Sequence, residues 1–256
     1  MTKFLAFKGL HEQTQPLLIG NVWNVQSAKA FEKSGFQAIA TSSAAIAHSL
    51  GYEDGEQMPF SDLLHVVTRI SNSVSLPLSV DIESGYGKNA REIAGNIKAL
   101  ARTGVVGINI EDSEMADAQR LMKDTQQFAL LLEEVKHILS KESITVFFNV
   151  RCDAFLLNVP DALQTATQRV KRYEAAGAEG IFLPCIIREN NIVQICAETV
   201  LPLNVMCMPG LPDFKTLGKL GVKRISMGNF LNGSVYTSLE KLTQVILSEQ
   251  SFNAVF

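Results

Sequence analysis

The segment LSVDIESGYGKNAREIAGNIKALARTGVVGINIE, residues 78–111, predicts a strand, a helix and a second strand in succession. Leu78–Asp81 and Gly107–Glu111 are short and largely apolar, as strands buried on both faces of a parallel sheet should be. Between them, apolar residues return every three or four positions over residues 90–103, which is typical of a helix. Gly104 follows as a helix stop. The segment therefore predicts one βαβ unit.

The same alternation continues toward both ends of the chain. Further strands are predicted at residues 17–21, 38–41, 145–151, 180–183, 203–206 and 224–226. Further helices are predicted at residues 27–34, 60–73, 125–140, 162–176, 213–220 and 234–250. Eight strands with intervening helices in 256 residues predict a (β/α)8 TIM barrel, formed as a single domain over residues 1–256. The alternative is an open doubly wound sheet, which the lack of a GxGxxG turn after the first strand disfavours.

Composition and charge exclude several classes of protein. With 46% hydrophobic and 19% charged residues, the chain can form a large core and is not of the disordered class. A net charge of −3 without a Lys/Arg run predicts no nucleic-acid partner. No apolar stretch approaches the ~18 residues of a membrane span, and the N-terminal segment lacks a signal-peptide core. Four cysteines without CxxC spacing predict reduced thiols and a cytoplasmic location.

Polar residues follow the predicted strands at the edge of the barrel where active sites occur. The second strand leads into Thr41-Ser42-Ser43-Ala44, whose N–H groups and first serine hydroxyl either hold a carboxylate or only cap a helix. Asp81 and Glu83 end the third strand, and they share a face if the extended backbone continues. Glu111 ends the fourth strand beside them. These carboxylates are either Mg²⁺ ligands or solvated loop acids.

Two later strands add basic and neutral donors to the same edge. Arg151 ends the fifth strand, where it either clamps an anionic substrate with two N–H groups or balances the charge of Asp153. Asn149 shares the face of Arg151, so both side chains can point into the barrel. Asn204 on the seventh strand is a candidate neutral donor to the substrate.

Six motifs occur in order: NVWN (21–24), ATSSA (40–44), LGYEDG (50–55), VDIESGYG (80–87), GINIED (107–112) and NVRCDA (149–154). Together they resemble the isocitrate lyase/phosphoenolpyruvate mutase superfamily, often labelled carboxyvinyl-carboxyphosphonate phosphorylmutase. The resemblance covers about residues 17–228. It implies a (β/α)8 barrel that uses Mg²⁺, with Mn²⁺ as an alternative. Members of this superfamily cleave or rearrange C–C or P–C bonds of small 2-oxo or 2-hydroxy acids through an enolate-like intermediate.

The resemblance also implies residue roles. These are substrate binding for Thr41, Ser42, Ser43, Ala44 and Arg151, catalysis for Asp54, Glu111 and Arg151, and metal binding for Asp81, Glu83 and Glu111.

The sequence departs from the superfamily pattern at several positions. Residues 113–123, SEMADAQRLMK, lack the Lys-Cys-Gly-His loop in which isocitrate and methylisocitrate lyases carry a general acid. Phosphonate-processing members have Trp where this chain has Ala40, Asp in place of Glu83, and His near Pro184-Cys185. Three functions stay open. The first hypothesis is an Mg²⁺-dependent lyase or decarboxylase-like enzyme; the others are a phosphonate mutase or hydrolase, and a barrel that binds a 2-oxo acid without catalysis.

The last predicted helix, residues 234–250, indicates self-association. Its apolar residues include Leu239, Leu242, Val245 and Ile246, and the charged fraction of the chain is low. We expect a homo-oligomer, either a dimer or a tetramer. The resemblance implies that this helix is exchanged between neighbouring subunits; the alternative is an ordinary eighth barrel helix on its own chain.

Overall fold

The computed structural model describes residues 2–117 and 119–256. Its strands are β1 (Leu17–Leu18), β2 (Gly20–Val22), β3 (Ile39–Thr41), β4 (Leu78–Asp81), β5 (Gly107–Glu111), β6 (Ser113–Ala116), β7 (Gln119–Met122), β8 (Phe147–Arg151), β9 (Gly180–Phe182), β10 (Leu203–Met206) and β11 (Arg224–Ser226). Its helices are α1 (Lys3–Leu10), α2 (Val25–Lys33), α3 (Ser43–Ser49), α4 (Phe60–Ser71), α5 (Ala90–Arg102), α6 (Thr125–Lys141), α7 (Ala162–Ala175), α8 (Glu189–Glu198), α9 (Phe214–Lys219) and α10 (Phe230–Glu249), followed by a 3-10 turn at Asn253–Val255.

Nine strand segments form one parallel sheet in the order β1-β11-β10-β9-β8-β5-β4-β3-β2. β1 and β2 are two halves of the first strand, separated at Ile19, whose N–H donates to the Ile225 carbonyl at 2.9 Å. This strand pairs with β11 through its first half and with β3 through its second, so the sheet closes into an eight-stranded barrel. The predicted (β/α)8 barrel is confirmed. The single domain over residues 1–256 stays a prediction, and Met1 and Ala118 lie outside the described residues.

Two hydrophobic cores hold the barrel together. The larger lies between the strands and the surrounding helices. The smaller fills the amino-terminal end of the barrel, where α1 inserts Phe7 against Phe147 with a ring-centroid distance of 5.6 Å. Gly107 is required at this point because a Cβ atom there would lie 2.9 Å from the Phe7 ring. The sequence patterns did not predict α1, which plugs this end of the barrel.

His11 follows α1 and is buried in the same plug. Its ring stacks on Phe147 at 4.4 Å, and its Nδ1 lies 2.9 Å from the Phe7 carbonyl oxygen. Burial, followed by the nearby positive charge of Arg224, lowers the pKa of His11 from 6.5 to about 3. The folded protein therefore holds this histidine neutral throughout the mildly acidic range.

We expect the pH dependence of folding stability to change in a His11→Gln variant. Between about pH 3 and 6.5 the unfolded chain protonates His11 and the folded chain does not, so this residue lowers stability as the pH falls. At about 1.4 kcal/mol per pKa unit, the loss is on the order of 4 kcal/mol near pH 3. Urea unfolding at pH 7 and pH 4.5 should show a smaller pH-dependent loss in the variant, while the exposed-site control His48→Gln behaves as the parent. Equal losses in all three proteins would contradict the burial of a neutral His11.

A β-hairpin, absent from the predictions, interrupts the barrel after β5. β6 and β7 pair antiparallel, with Met115 opposite Arg120. The hairpin comes directly after Glu111 at the end of β5, so its side chains reach the carboxyl-terminal mouth of the barrel. α8 was also not predicted.

The last helix, α10, is the most exposed long element. Of its 20 residues, only Asn232 is buried. The apolar side chains that it exposes are Phe230, Leu231, Val235, Tyr236, Leu239, Val245 and Leu247. No helix in the described part of the chain is both long and apolar enough to cross a membrane. The four cysteines are free thiols, as predicted.

Candidate active site

The carboxyl ends of the barrel strands surround a cavity of about 400 Å³. The predicted residues that line it are Ser42, Ser43, Ala44, Asp54, Asp81 and Arg151. Residues separated by more than a hundred positions therefore meet at one mouth because parallel strands present the same ends together. Thr41, Glu83, Glu111 and Asn204 lie around this cavity without lining it.

Asp81 is held at the mouth by the turn that follows β3. The Ser43 hydroxyl donates to Asp81 Oδ2 at 2.9 Å, and the Asp81 N–H donates to Thr41 Oγ1 at 2.9 Å. Ser42 caps α3, since its Oγ accepts from the Ala45 N–H at 3.3 Å. Thr41 is fully buried, so it positions Asp81, and its predicted contact with substrate has no support in this geometry.

Glu83 does not continue the direction of Asp81. The backbone turns at Glu83, whose φ of +51° lies in the left-handed region, so the extended geometry that we expected ends at β4. Its carboxylate instead accepts from the Tyr86 hydroxyl and the Glu56 N–H, both at 2.7 Å. The shared face predicted for Asp81 and Glu83 is therefore wrong. Glu83 lines a neighbouring cavity of about 600 Å³ beneath the β6–β7 hairpin.

Two arginines contact the carboxylate of Glu111. The Arg151 Nη1 lies 2.8 Å from Glu111 Oε2, and Arg120 on β7 pairs with Glu111 Oε1. Arg120 also reaches Asp54 at 3.2 Å, which joins the hairpin to the loop before α4. Sequence reasoning missed Arg120. The local signal was two basic residues, Arg120 and Lys123, in the segment that follows the fourth barrel strand.

Arg151 also binds Asp153 with two nitrogens. Its Nε donates to Oδ1 at 2.6 Å and its Nη2 to Oδ2 at 3.1 Å. Two of the five guanidinium N–H groups therefore donate to Asp153, and Nη1 forms an ion pair with Glu111 without a hydrogen bond to Oε2. Arg151 lines the mouth cavity, so the remaining donors are available to a ligand there. The geometry is therefore compatible with both predicted roles, the substrate clamp and the counter-charge to Asp153.

Several carboxylates lie close together at and around the mouth, where they are partly or fully shielded from water. Burial raises the pKa of Asp81, against the opposing effects of Arg151 and Ser43. Burial also raises the pKa of Glu83 to about 7. For Glu111, burial raises the pKa, while Arg151 and Arg120 favour the ionised form. Bound positive charge would stabilise these carboxylates.

The donor chemistry of the mouth fits a hard divalent cation. Asp81 and Asp54 both line the cavity, and carboxylate oxygens are the protein ligands that Mg²⁺ prefers. Over residues 2–117 and 119–256, no group of three or more His, Cys, Asp or Glu side chains is arranged to hold a metal ion. A cation at this mouth would therefore take one or two protein carboxylates and keep several waters, which Mg²⁺ does readily.

Asn204 lies below the floor of the mouth. It is fully buried, and its Nδ2 donates to the Val205 carbonyl at 2.6 Å and to Ser226 Oγ at 3.0 Å. Its Oδ1 accepts from Asn149 at 3.1 Å. Because both ends of this amide have protein partners, the structure does not support its predicted contact with substrate.

Fold and mouth together define the class: an α/β barrel of parallel strands with carboxylates and arginines gathered at the strand ends. The chain belongs to the phosphoenolpyruvate phosphomutase family, whose model matches residues 7–247, within the phosphoenolpyruvate mutase/isocitrate lyase superfamily. Named relatives in this superfamily include lyases and decarboxylases of small acids.

Two sequence relatives match most of the chain. An uncharacterized protein of Mycobacterium tuberculosis is 31% identical over 225 residues, covering 88% of this chain and 82% of that protein. Oxaloacetate decarboxylase 1 of Pseudomonas fluorescens is 30% identical over 235 residues, covering 90% of this chain and 78% of the enzyme.

Two solved structures share the fold. A candidate phosphonomutase from Burkholderia cenocepacia J2315 has a TM-score of 0.88 and 33% identity, covering 94% of this chain and 99% of that one. A phosphonopyruvate hydrolase solved with oxalate and Mg²⁺ has a TM-score of 0.86, covering 100% of this chain and 90% of that one. At 21% identity, the hydrolase shows likeness of fold alone.

Proposed function

We propose that the protein is an Mg²⁺-dependent lyase or decarboxylase-like enzyme that cleaves a C–C bond of a small 2-oxo or 2-hydroxy acid. One observation carries the proposal: Asp81, held by Ser43, and Arg151 line one cavity of about 400 Å³. A cation ligand and an anion ligand on the same cavity suit a substrate that carries both a carboxylate and a carbonyl or hydroxyl oxygen.

Each residue has a distinct task in this proposal. Asp81 holds the cation, and Asp54 lies near enough to raise the pKa of Asp81 through its negative charge. Glu83 and Glu111 act through water, because protein groups already contact their carboxylates. Mg²⁺ would supply Lewis-acid stabilisation of the negative charge that develops when a bond beside a carbonyl breaks. Arg151 pairs with the substrate carboxylate and orients it.

A panel of acids tests this function directly. Oxaloacetate, methylisocitrate and phosphonopyruvate would each be incubated with the protein and Mg²⁺ and followed by ¹H and ³¹P NMR. Loss of a C–C bond in either of the first two supports the proposal. Turnover of phosphonopyruvate alone would favour phosphonate chemistry, and ligand-induced thermal stabilisation without any turnover would favour a binding protein.

We expect oxalate, a planar mimic of pyruvate enolate, to bind only with Mg²⁺ present. Its two carboxylates need positive charge at a mouth that already holds Asp54 and Asp81, and Arg151 alone must share its donors with Glu111 and Asp153. Calorimetry with Mg²⁺, with Mn²⁺ and with EDTA measures this. Equal oxalate affinity with and without EDTA would contradict a shared metal site.

We also propose that the protein is a homo-oligomer, a dimer or a tetramer, in which α10 packs on a neighbouring copy. Leu239 is 51% exposed and Leu247 is 77% exposed on this helix, an apolar surface unusual for a free monomer. Light scattering at micromolar concentration should give a multiple of 28.0 kDa. A Leu239→Glu variant should shift toward the monomer mass, whereas the neighbouring Lys241→Glu control should not. A monomeric parent would reject the proposal.

A further inference from the structure

Three asparagine side chains form a row across the barrel interior, directly beneath the mouth. They are Asn109 on β5, Asn149 on β8 and Asn204 on β10, and each is at most 5% exposed. Asn149 Nδ2 donates to Asn204 Oδ1 at 3.1 Å and to Asn109 Oδ1 at 2.9 Å. Buried amides of this kind have a direction, because each has one donor end and one acceptor end.

The direction of the row is determined from both of its ends. At one end, Asn204 Nδ2 lies 2.6 Å from the Val205 carbonyl, which can only accept, so this nitrogen must be the donor. At the other end, Arg224 Nη2, which can only donate, lies 3.4 Å from Asn109 Oδ1. The Asn109 oxygen therefore faces Asn149 and Arg224.

The side-chain nitrogen of Asn109 therefore points away from Asn149 and Arg224. Asn109 is one of the residues that line the 400 Å³ mouth cavity, together with Asp81 and Arg151. Within the described part of the chain, Asn109 Nδ2 makes no hydrogen bond. It is not one of the fully enclosed polar atoms that lack a partner, so this nitrogen retains accessible surface. Because Asn109 lines the mouth cavity, a water or a ligand there is within reach of this nitrogen. An amide nitrogen donates and cannot ligate a cation, so its partner is an oxygen that accepts.

We propose that Asn109 is a substrate-binding residue whose Nδ2 donates to an oxygen of the bound 2-oxo acid, and that Arg224 is the positioning residue that keeps this nitrogen turned toward the mouth. The ligand named here rests on the proposed function. An uncharged donor with a preset orientation stabilises an oxygen that gains negative charge without attracting a second cation. Arg224 is fully buried, and its Nε and Nη1 have no hydrogen-bond partner among the described residues, so the one side-chain hydrogen bond that it makes there is to Asn109.

An Asn109→Asp variant tests the donor. Aspartate keeps the oxygen that accepts from Asn149 and Arg224, and it replaces the nitrogen at the mouth by a second oxygen. We expect oxalate affinity in the presence of Mg²⁺ to fall at least thirtyfold, while the exposed-site control Asn190→Asp binds as the parent. An Asn109→Ala variant, which adds no charge, should lose about tenfold. Affinity within threefold of the parent in both Asn109 variants would overturn the donor role.

A double-mutant cycle tests the positioning role of Arg224. Arg224→Met retains the side-chain length and removes the donor that faces Asn109. It should weaken oxalate binding about tenfold in the parent and less than twofold in the Asn109→Ala background, because the residue acts through Asn109. Equal losses in both backgrounds would show a general structural effect and would overturn this role.

The orientation of Asn109 can be tested without any ligand. Side-chain amide hydrogen exchange, followed by ¹⁵N NMR, should be at least tenfold faster for Asn109 than for Asn149 and Asn204, whose nitrogens have protein partners. Equal protection of the three amides would overturn the inference even if the parent binds oxalate. A parent that does not bind oxalate with Mg²⁺ would overturn the proposed function and the ligand assigned to Asn109, and the exchange rates would still decide its orientation.

Discussion

Asp81→Ala should abolish Mg²⁺-dependent oxalate binding and leave the barrel folded. Asp81 is a half-buried carboxylate that lines the mouth, and Ser43 and Thr41 hold it in place. Removing one partner of a buried charged contact costs about 2–5 kcal/mol, which is roughly thirtyfold to several thousandfold in affinity. Calorimetric titration with oxalate in the presence of Mg²⁺ measures the loss directly.

The folding of the Asp81 variant separates metal binding from a structural role. Burial raises the pKa of Asp81, so its charge is unfavourable in the folded state without a cation, and we expect no decrease in melting temperature without Mg²⁺. With Mg²⁺ added, the parent should gain stability that the variant does not gain. Asp161→Asn serves as the control, since Asp161 is exposed, its side chain caps no helix, and asparagine tolerates its φ of +51°. A variant that still shows Mg²⁺-dependent oxalate binding would reject Asp81 as the metal ligand.

Arg151→Ala should affect both oxalate affinity and stability. A lost charge-assisted contact with the ligand costs about 1.5–3 kcal/mol, or roughly ten- to a hundredfold in affinity. The same substitution leaves Glu111 and Asp153 without a partner that lies 2.8 and 2.6 Å away. A fully uncompensated buried charge is destabilising by about 3–5 kcal/mol. Glu111 keeps its ion pair with Arg120, so we expect a smaller loss and a moderate fall in melting temperature.

Arg151→Lys distinguishes the clamp from the counter-charge. Lysine retains the positive charge and loses the planar pair of N–H groups that binds both oxygens of Asp153. We expect it to restore much of the stability and only part of the oxalate affinity. If Arg151→Ala binds oxalate with Mg²⁺ as well as the parent does and only its melting temperature falls, Arg151 is a structural counter-charge to Asp153.

The predictions that succeeded rest on local patterns. Leu78–Asp81, Gly107–Glu111, Leu203–Met206 and Arg224–Ser226 are strands with the predicted bounds. A strand buried on both faces is largely apolar along its own length, so a short window of sequence suffices to identify it. Residues at strand ends share one edge of a barrel by topology, and for this reason Asp81 and Arg151 could be placed at one mouth from sequence alone.

The predictions that failed depended on backbone turns and on contacts between residues that are distant in the chain. The side chain of Glu83 does not share the face of Asp81, because the φ of Glu83 is +51°. Alternation of side chains along a strand does not apply to residues beyond the end of that strand. Arg120 reaches Asp54 through a hairpin, across 66 positions of sequence. Asn204 has the residue type of a substrate donor, yet Val205, Ser226 and Asn149 occupy both ends of its amide.

The sequence by itself determined the eight strands, the barrel that they predict and the acid-rich edge, because strand periodicity and strand order are properties of the chain alone. Only the tertiary structure decided which polar atoms face the mouth. Asn109 is the clearest case. Its type and position are visible in the sequence, but the direction of its amide depends on Val205 at one end of the row and Arg224 at the other. The donor and acceptor ends of these amides are set only when the distant strands that carry their partners have packed together.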